Sequence, residues 1–172
     1  MKKLLVTLAM LCVVVSNAQE APAELKAQNF NEIKLNGMLL VLGGLELSYE
    51  RTLNEESAVG VSVFYPIDEL LDVNYYVSPY YRFYFGQKYA GGFFLEGFGM
   101  LNSTDNILSD VIDSGEDNIT DFALGIGFGG KWISKRGLLG ELNFGLGRNL
   151  FNSDDILNEF VFKFGITFGY RF

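Results

Sequence analysis

The chain has 172 residues, which is enough for one domain with a sizeable core or for one closed barrel. Its 15% aromatic residues, 20 glycines and only 3 prolines are typical of an all-β protein with many strands. The 21 acidic residues outnumber the 13 basic ones, which argues against nucleic-acid binding because phosphates attract a positive surface. The chain has no histidine, which excludes Ser/His or Asp/His catalysis and His-ligated metals, so we expect no enzyme.

The first 18 residues have the three parts of a secretory signal peptide. Lys2 and Lys3 form a charged start, residues 4–15 form an apolar run, and residues 16–18 (Ser-Asn-Ala) form a small-x-small cleavage site. The run is shorter than the ~20 residues that a membrane-spanning helix needs. We therefore expect a signal peptide at 1–18, cleaved on export, and a short polar lead-in at 19–30.

The single cysteine, Cys12, lies inside this apolar run. A lipid-modified cysteine at a lipoprotein cleavage site is disfavoured, because Leu11 stands where such a site needs a small residue. After cleavage no thiol remains. The loss of two lysines leaves 11 basic residues against 21 acidic ones, a net charge of 11 − 21 = −10. We expect no cofactor.

Residues 31–172 are predicted to form one β-barrel domain. About eight segments alternate apolar with polar or small residues, and no segment after the signal peptide has a helical period. Each is near or above the ~9–11 residues with which a tilted strand crosses a bilayer. The predicted strands are 31–42, 45–53, 57–66, 74–86, 90–101, 121–134, 137–149 and 159–172.

The connections between these strands alternate in length. With an even number of strands, both termini lie at the end with the short turns. Short turns on one side and longer loops on the other are typical of outer-membrane barrels, and the first outer connection, near Gly43 and Gly44, is a tight exception. The short turns are 54–57, 86–88 and 134–137, and the longer loops are 66–72, 102–120 and 152–158.

The last strand, "FKFGITFGYRF" (162–172), raises the question of which face meets lipid. An eight-stranded barrel has an interior just wide enough for its inward side chains, and the large apolar face of these strands would not fit there. The opposite face is rich in glycine, which suits a crowded interior. We therefore predict an antiparallel, up-and-down transmembrane barrel with aromatic residues facing lipid and a filled lumen.

The same alternation places charged residues inside the barrel. A lipid-facing Lys or Arg near the bilayer midplane costs about 2–4 kcal/mol, so Lys131 and Lys163 should point inward. We expect a network of paired charges that plugs the lumen, in which Lys163 and Glu141 take part together. A gated proton or ion path is the alternative. The predicted network comprises Lys34, Glu46, Glu50, Arg82, Glu96, Lys131, Glu141 and Lys163.

Several segments resemble a domain-of-unknown-function family of small eight-stranded outer-membrane barrels of the porin-like superfamily. These segments are "LSYERTLN" (47–54), "YYVSPYYRFYFG" (75–86), "GGKWISKRG" (129–137) and "GRNLFN" (147–152). The terminal Tyr170 and Phe172 are similar to the sorting signal recognised by the barrel-assembly machinery. The resemblance implies a fold and an outer-membrane location, with lipid and lipopolysaccharide as surroundings, and it brings no catalytic residues.

The outer loops are acidic and also contain aliphatic residues. Oxygen ligands in "DSGEDNITD" (113–121) suit a hard cation such as Ca²⁺, although the spacing is not that of an EF-hand. A solvated acidic loop is the alternative, and the aliphatic residues either pack as a cap or offer a surface to a protein partner. The candidate ligands are Asp113, Glu116, Asp117 and Asp121.

Two functions are consistent with this sequence. The first is a non-enzymatic outer-membrane barrel with a structural or interaction role, such as an accessory subunit of an envelope complex. The second is a small transport or ligand-binding barrel.

Overall fold

The computed structural model describes residues 30–68, 73–105, 118–151 and 159–172. Eight antiparallel strands follow one another around a closed barrel, and the last strand pairs with the first. The predicted all-β, up-and-down architecture is confirmed. The predicted signal peptide and nearly all of the lead-in lie outside the described residues. The strands are β1 (Asn31–Asn36), β2 (Gly44–Thr52), β3 (Ser57–Pro66), β4 (Val73–Phe85), β5 (Gly92–Asp105), β6 (Asn118–Ile133), β7 (Leu138–Asn149) and β8 (Phe160–Arg171).

The first predicted strand, 31–42, is wrong in its second half. Strand β1 ends at Asn36, and a short helix, α1 (Gly37–Val41), follows it. The Asn36 side chain accepts hydrogen bonds from the backbone N–H groups of Met38 and Leu39, both at 3.2 Å, so it caps the helix. The expectation of no helix after the signal peptide is therefore also wrong. The apolar run after Gly37 is continuous and does not alternate, and this absent alternation was the available signal.

The start of β1 and the end of β8 lie at the short-turn end of the barrel. Asn31 and Phe172 exchange backbone hydrogen bonds of 2.8 and 2.9 Å there. The β4–β5 connection is longer than the predicted three residues and spans 86–91. It folds into the barrel mouth, where Tyr89 and Ala90 are buried. Strands β5 and β6 also extend further towards the outer end than predicted.

The outward face is an apolar surface. Phe83, Phe93, Phe128, Phe144 and Phe164 all leave a third or more of their surface exposed, which is unusual for phenylalanine. Within the described ranges, no helix is long and apolar enough to cross a membrane.

Aromatic rings and glycines share the interior between the charged side chains. Phe94 and Phe98 are buried, and they lie against glycines of β6 and β7. A Cβ atom on Gly129 would lie 2.5 Å from the Phe94 ring, and one on Gly145 would lie 2.9 Å from the Phe98 ring. Both distances are too short for real atoms, so these glycines make room for the rings. The interior is filled, as the sequence predicts.

Candidate functional site in the barrel lumen

The centre of the lumen is a cluster of three carboxylates and two ammonium groups. Lys34 on β1 lies 2.7 Å from Glu50, 2.6 Å from Glu141 and 3.1 Å from Glu32. Lys131 on β6 lies 2.9 Å from Glu32 and 2.5 Å from Glu50. All five side chains are fully buried. Because the residues come from four different strands, the cluster joins opposite walls of the barrel.

Arg82 on β4 links this cluster to a second acidic group. Its Nε donates to Glu96 at 2.6 Å, and its Nη1 donates to Glu50 at 3.0 Å and to Glu141 at 2.8 Å. The guanidinium also lies 4.2 Å from the centre of the Phe94 ring, a cation–π distance. One planar side chain therefore contacts three carboxylates through two different nitrogens, Nε and Nη1, whereas a Lys has a single donor nitrogen.

The ion-pair partner of Lys163 is Glu96, at 2.7 Å. Lys163 and Glu141 therefore belong to the same network, as the sequence predicts, but they do not form an ion pair with each other. In the β7–β8 ladder Glu141 stands opposite Thr167, while Lys163 stands opposite Gly145. The four-residue offset is about 13 Å along a strand, so Lys163 reaches across the lumen to β5 instead. Arg82, which contacts both Glu96 and Glu141, is the indirect link between them.

Glu46 differs from the other carboxylates of the predicted network. Within the described residues, no Lys or Arg lies close enough to form an ion pair with it. It accepts a short hydrogen bond from the Tyr76 hydroxyl and a long one, 3.4 Å, from the Asn36 amide. Tyr76 is held by stacking on Phe64, with ring centres 4.9 Å apart. A neutral hydrogen-bonded group thus replaces the cation that the sequence predicts beside Glu46.

The sequence prediction missed two members of the network, Glu32 and Arg171. Arg171 donates to Glu32 from Nε at 2.8 Å and from Nη2 at 2.5 Å. It also donates to the backbone oxygens of Tyr89 and Ala90, both at 2.9 Å, and so holds the β4–β5 connection in the barrel mouth. Glu32 is two residues from Lys34, and Arg171 is eight residues from Lys163, so the same alternation points both inward. Extending that alternation to the strand ends would have found them.

With these additions the network is electrically balanced. It contains five cations, Lys34, Arg82, Lys131, Lys163 and Arg171. It also contains five carboxylates, Glu32, Glu46, Glu50, Glu96 and Glu141. Balance of this kind is what a desolvated interior requires.

Carboxylate oxygens of Glu32, Glu50 and Glu141 lie within 4.8 Å of one another, a spacing that a metal ion could use. The ammonium groups of Lys34 and Lys131 already make short contacts with these oxygens. They supply the positive charge that a metal would supply, so we assign no metal to this cluster.

Of the four candidate loop ligands, only Asp121 lies within the described residues. It is buried, and its Oδ1 accepts from the backbone N–H of Phe122 at 2.6 Å and of Phe151 at 3.1 Å. These bonds give Asp121 a local structural role at the outer end of β6. Asp113, Glu116 and Asp117 lie outside the described residues, so the predicted cation site stays a prediction.

Three buried oxygens in the lumen have no hydrogen-bond partner within the described part of the chain. They belong to Ser78, Asn143 and Thr167. Buried polar groups are normally satisfied by protein or by water, so these positions are polar enough to hold water.

The terminal aromatic residues of the predicted sorting signal point outward. Tyr170 is 50% exposed and Phe172 is 57% exposed. Tyr170 stands opposite Ile33 in the β8–β1 pair that closes the barrel.

The closed eight-stranded barrel, its apolar outer face and its charged lumen define the class of outer-membrane-type β-barrels. The fold is similar to the N-terminal β-barrel domain of Pseudomonas aeruginosa OprF, known from a crystal structure. The similarity has a TM-score of 0.61 at 15% sequence identity, and it covers 86% of this chain and 100% of that one. The resemblance to small eight-stranded outer-membrane barrels is thereby confirmed for the fold. Neither protein-family models nor curated protein sequences match the chain.

Proposed function

We propose that this protein is a non-enzymatic integral barrel of the outer membrane with a structural or interaction role, such as an accessory subunit of an envelope complex. The observation that carries the proposal is the balanced ionic network that fills the lumen. Lys34, Arg82 and Lys131 each contact at least two carboxylates on other strands, and all are buried. Such a network connects strands on opposite sides of the barrel by ion pairs and leaves no wide aqueous path through the lumen.

The apolar outer face supports the membrane location. About half of the surface of Phe93, Leu95 and Phe128 is exposed, and burying it in hydrocarbon removes that area from water. The signal peptide and the outward terminal aromatics fit export followed by insertion through the barrel-assembly machinery. Lipid and lipopolysaccharide are then the surroundings of the barrel wall, and the outer loops are the surface for a protein partner.

Cell fractionation tests the location. The mature protein should be recovered with outer membranes, require detergent for extraction, and migrate differently on gels before and after boiling. Recovery as a soluble periplasmic monomer would refute the membrane proposal. Crosslinking and pull-down from native outer membranes, with the outer loop 106–117 shortened as the control, would then identify the partner.

A transport or ligand-binding barrel is the second candidate, and the partnerless oxygens of Ser78, Asn143 and Thr167 favour it. Conductance in planar bilayers separates the two functions. The first predicts no steady current from the purified barrel, because the charged network blocks the lumen. A steady current that Arg82→Met increases would favour transport instead.

A further inference from the structure

A shallow apolar groove lies on the outer face of the barrel near its short-turn end, on the side away from a smaller one beside Phe168 and Phe172. It has a volume of about 510 Å³ and lies across β5, β6 and β7. Its walls include Phe93, Phe128, Trp132 and Leu142. All four side chains point outward, so the groove opens on the face that the proposed function places in lipid.

The groove exists because Gly130 lies at its centre. In the sheet, Gly130 is opposite Phe93 on one side and Leu142 on the other. Along its own strand it stands between the outward residues Phe128 and Trp132. Four large side chains therefore surround a position without a side chain. The Trp132 ring leans over it, since a Cβ on Gly130 would lie 3.1 Å from that ring.

Two cations lie beside this groove at the short-turn end of the barrel. Lys135 and Arg136 form the tip of the β6–β7 turn, and both are exposed. Lys135 follows Trp132 by three residues, which is at most about 10 Å along the chain. In the described part of the chain, neither residue takes part in an ion pair. The groove thus combines an apolar slot with a positive rim.

We propose that this groove binds an anionic glycerophospholipid, with an acyl chain in the groove against the Trp132 ring and the headgroup phosphate at Lys135 and Arg136. The inference rests on the proposed membrane location. Phosphate forms charge-assisted hydrogen bonds with Lys and Arg, and an indole at the boundary between headgroup and hydrocarbon is favourable. A zwitterionic lipid fits the groove equally well, but its headgroup has no net negative charge and is attracted less strongly by the two cations at the rim. The site therefore selects by headgroup charge.

Trp132 allows a direct test because it is the only tryptophan in the chain. The full-length mature barrel is reconstituted in phosphatidylcholine vesicles that contain a small fraction of lipid with brominated acyl chains, which quench indole fluorescence on contact. Brominated phosphatidylglycerol and brominated phosphatidylcholine are compared at equal mole fractions. We expect an apparent preference for the anionic lipid of about fivefold for each of the two rim cations, the effect expected of one surface cation near anionic lipid.

Matched variants test the two parts of the site. Lys135→Glu should abolish the preference, whereas Arg51→Glu, which reverses another exposed cation at the same end on β2, should keep it. Gly130→Leu should fill the groove and remove the preference, whereas Gly97→Leu, at an outward glycine with open space around it, should keep it. For each variant, the gel shift on boiling verifies that the barrel is folded.

The outcomes separate this inference from the proposed function. Equal quenching by the two lipids, or a preference that survives both Lys135→Glu and Gly130→Leu, would overturn the lipid site while leaving the barrel in the bilayer. Absence of quenching by either lipid would show that Trp132 does not face hydrocarbon, which overturns both proposals.

Discussion

The ion pair between Glu96 and Lys163 offers a quantitative test of the lumen network. Glu96 is the one carboxylate that pairs with Lys163 in the described residues, whereas Glu96 also has Arg82. Glu96→Met therefore leaves the buried ammonium of Lys163 without its ion-pair partner, at a cost of about 3–5 kcal/mol. Lys163→Met leaves Glu96 with Arg82 at 2.6 Å, so we expect about half of that cost. Glu96→Met should thus lower the free energy of unfolding clearly more than Lys163→Met does.

The double variant measures the coupling between the two residues. Removing both charges restores the charge balance of the lumen and replaces an ion pair with apolar groups of similar size. The double variant should therefore recover much of the unfolding free energy that the single variants lose. We expect a coupling energy of about 2–3 kcal/mol from the double-mutant cycle. The free energy of unfolding is obtained from urea titration in lipid vesicles, followed by Trp132 fluorescence and by the gel shift on boiling.

A second cycle, between Lys163 and Glu141, is the control. These residues make no direct contact and are linked through other members of the network, such as Glu96 and Arg82, so their coupling should be smaller than that of Lys163 with Glu96. Neutral single variants, additive effects of Glu96→Met and Lys163→Met, or an equally strong coupling to Glu141 would refute the proposed arrangement. Additivity would indicate a lumen wet enough to screen its charges.

Three further predictions concern the barrel wall and its closure. Phe172→Asp should impair insertion while export continues, measured as accumulation in the periplasm; normal insertion would show that the terminal aromatic is not the sorting signal. Gly129→Ala should cost about 1–3 kcal/mol of unfolding free energy because its Cβ meets the Leu142 carbonyl oxygen and the Phe94 ring, whereas Gly97→Ala, with open space, should be neutral. Equal losses of stability in these two variants would contradict the close packing around Gly129. Asn36→Ala should cost about 1–2 kcal/mol through the lost helix cap, and an unchanged urea midpoint would argue against that cap.

The number of strands and the direction of their side chains could be predicted from the sequence. Side chains alternate strictly along a strand, so once Lys131 and Lys163 are placed inside, the inward position of Glu50, Arg82 and Glu141 follows from apolar alternation and from sequence spacing. The structure buries all five. This inference is strong because one face must be apolar and a slip of one residue would reverse both faces.

The alternation was less informative at the strand ends. Asn36 has the inward phase of β1, but its side chain caps a helix and also bonds Glu46. The continuous apolar run after it breaks the alternation of β1, but it does not by itself distinguish a helix from a strand, because apolar residues are compatible with either structure over so short a length. Glu32 and Arg171 also lie near strand ends, where the alternation points inward but only the structure shows that both side chains join the network.

The sequence by itself therefore determined the barrel, its apolar outer face and the presence of charges in the lumen, because each depends only on the period of two along single strands. Only the tertiary structure decided which charges pair. Lys163 contacts Glu96 and not Glu141 because contacts across the lumen depend on the relative heights of strands that are not neighbours, a consequence of register and barrel closure. The tertiary structure likewise decided the partner of Glu46. Glu46 lies on β2, and Tyr76 comes from β4, which is two strands away around the barrel.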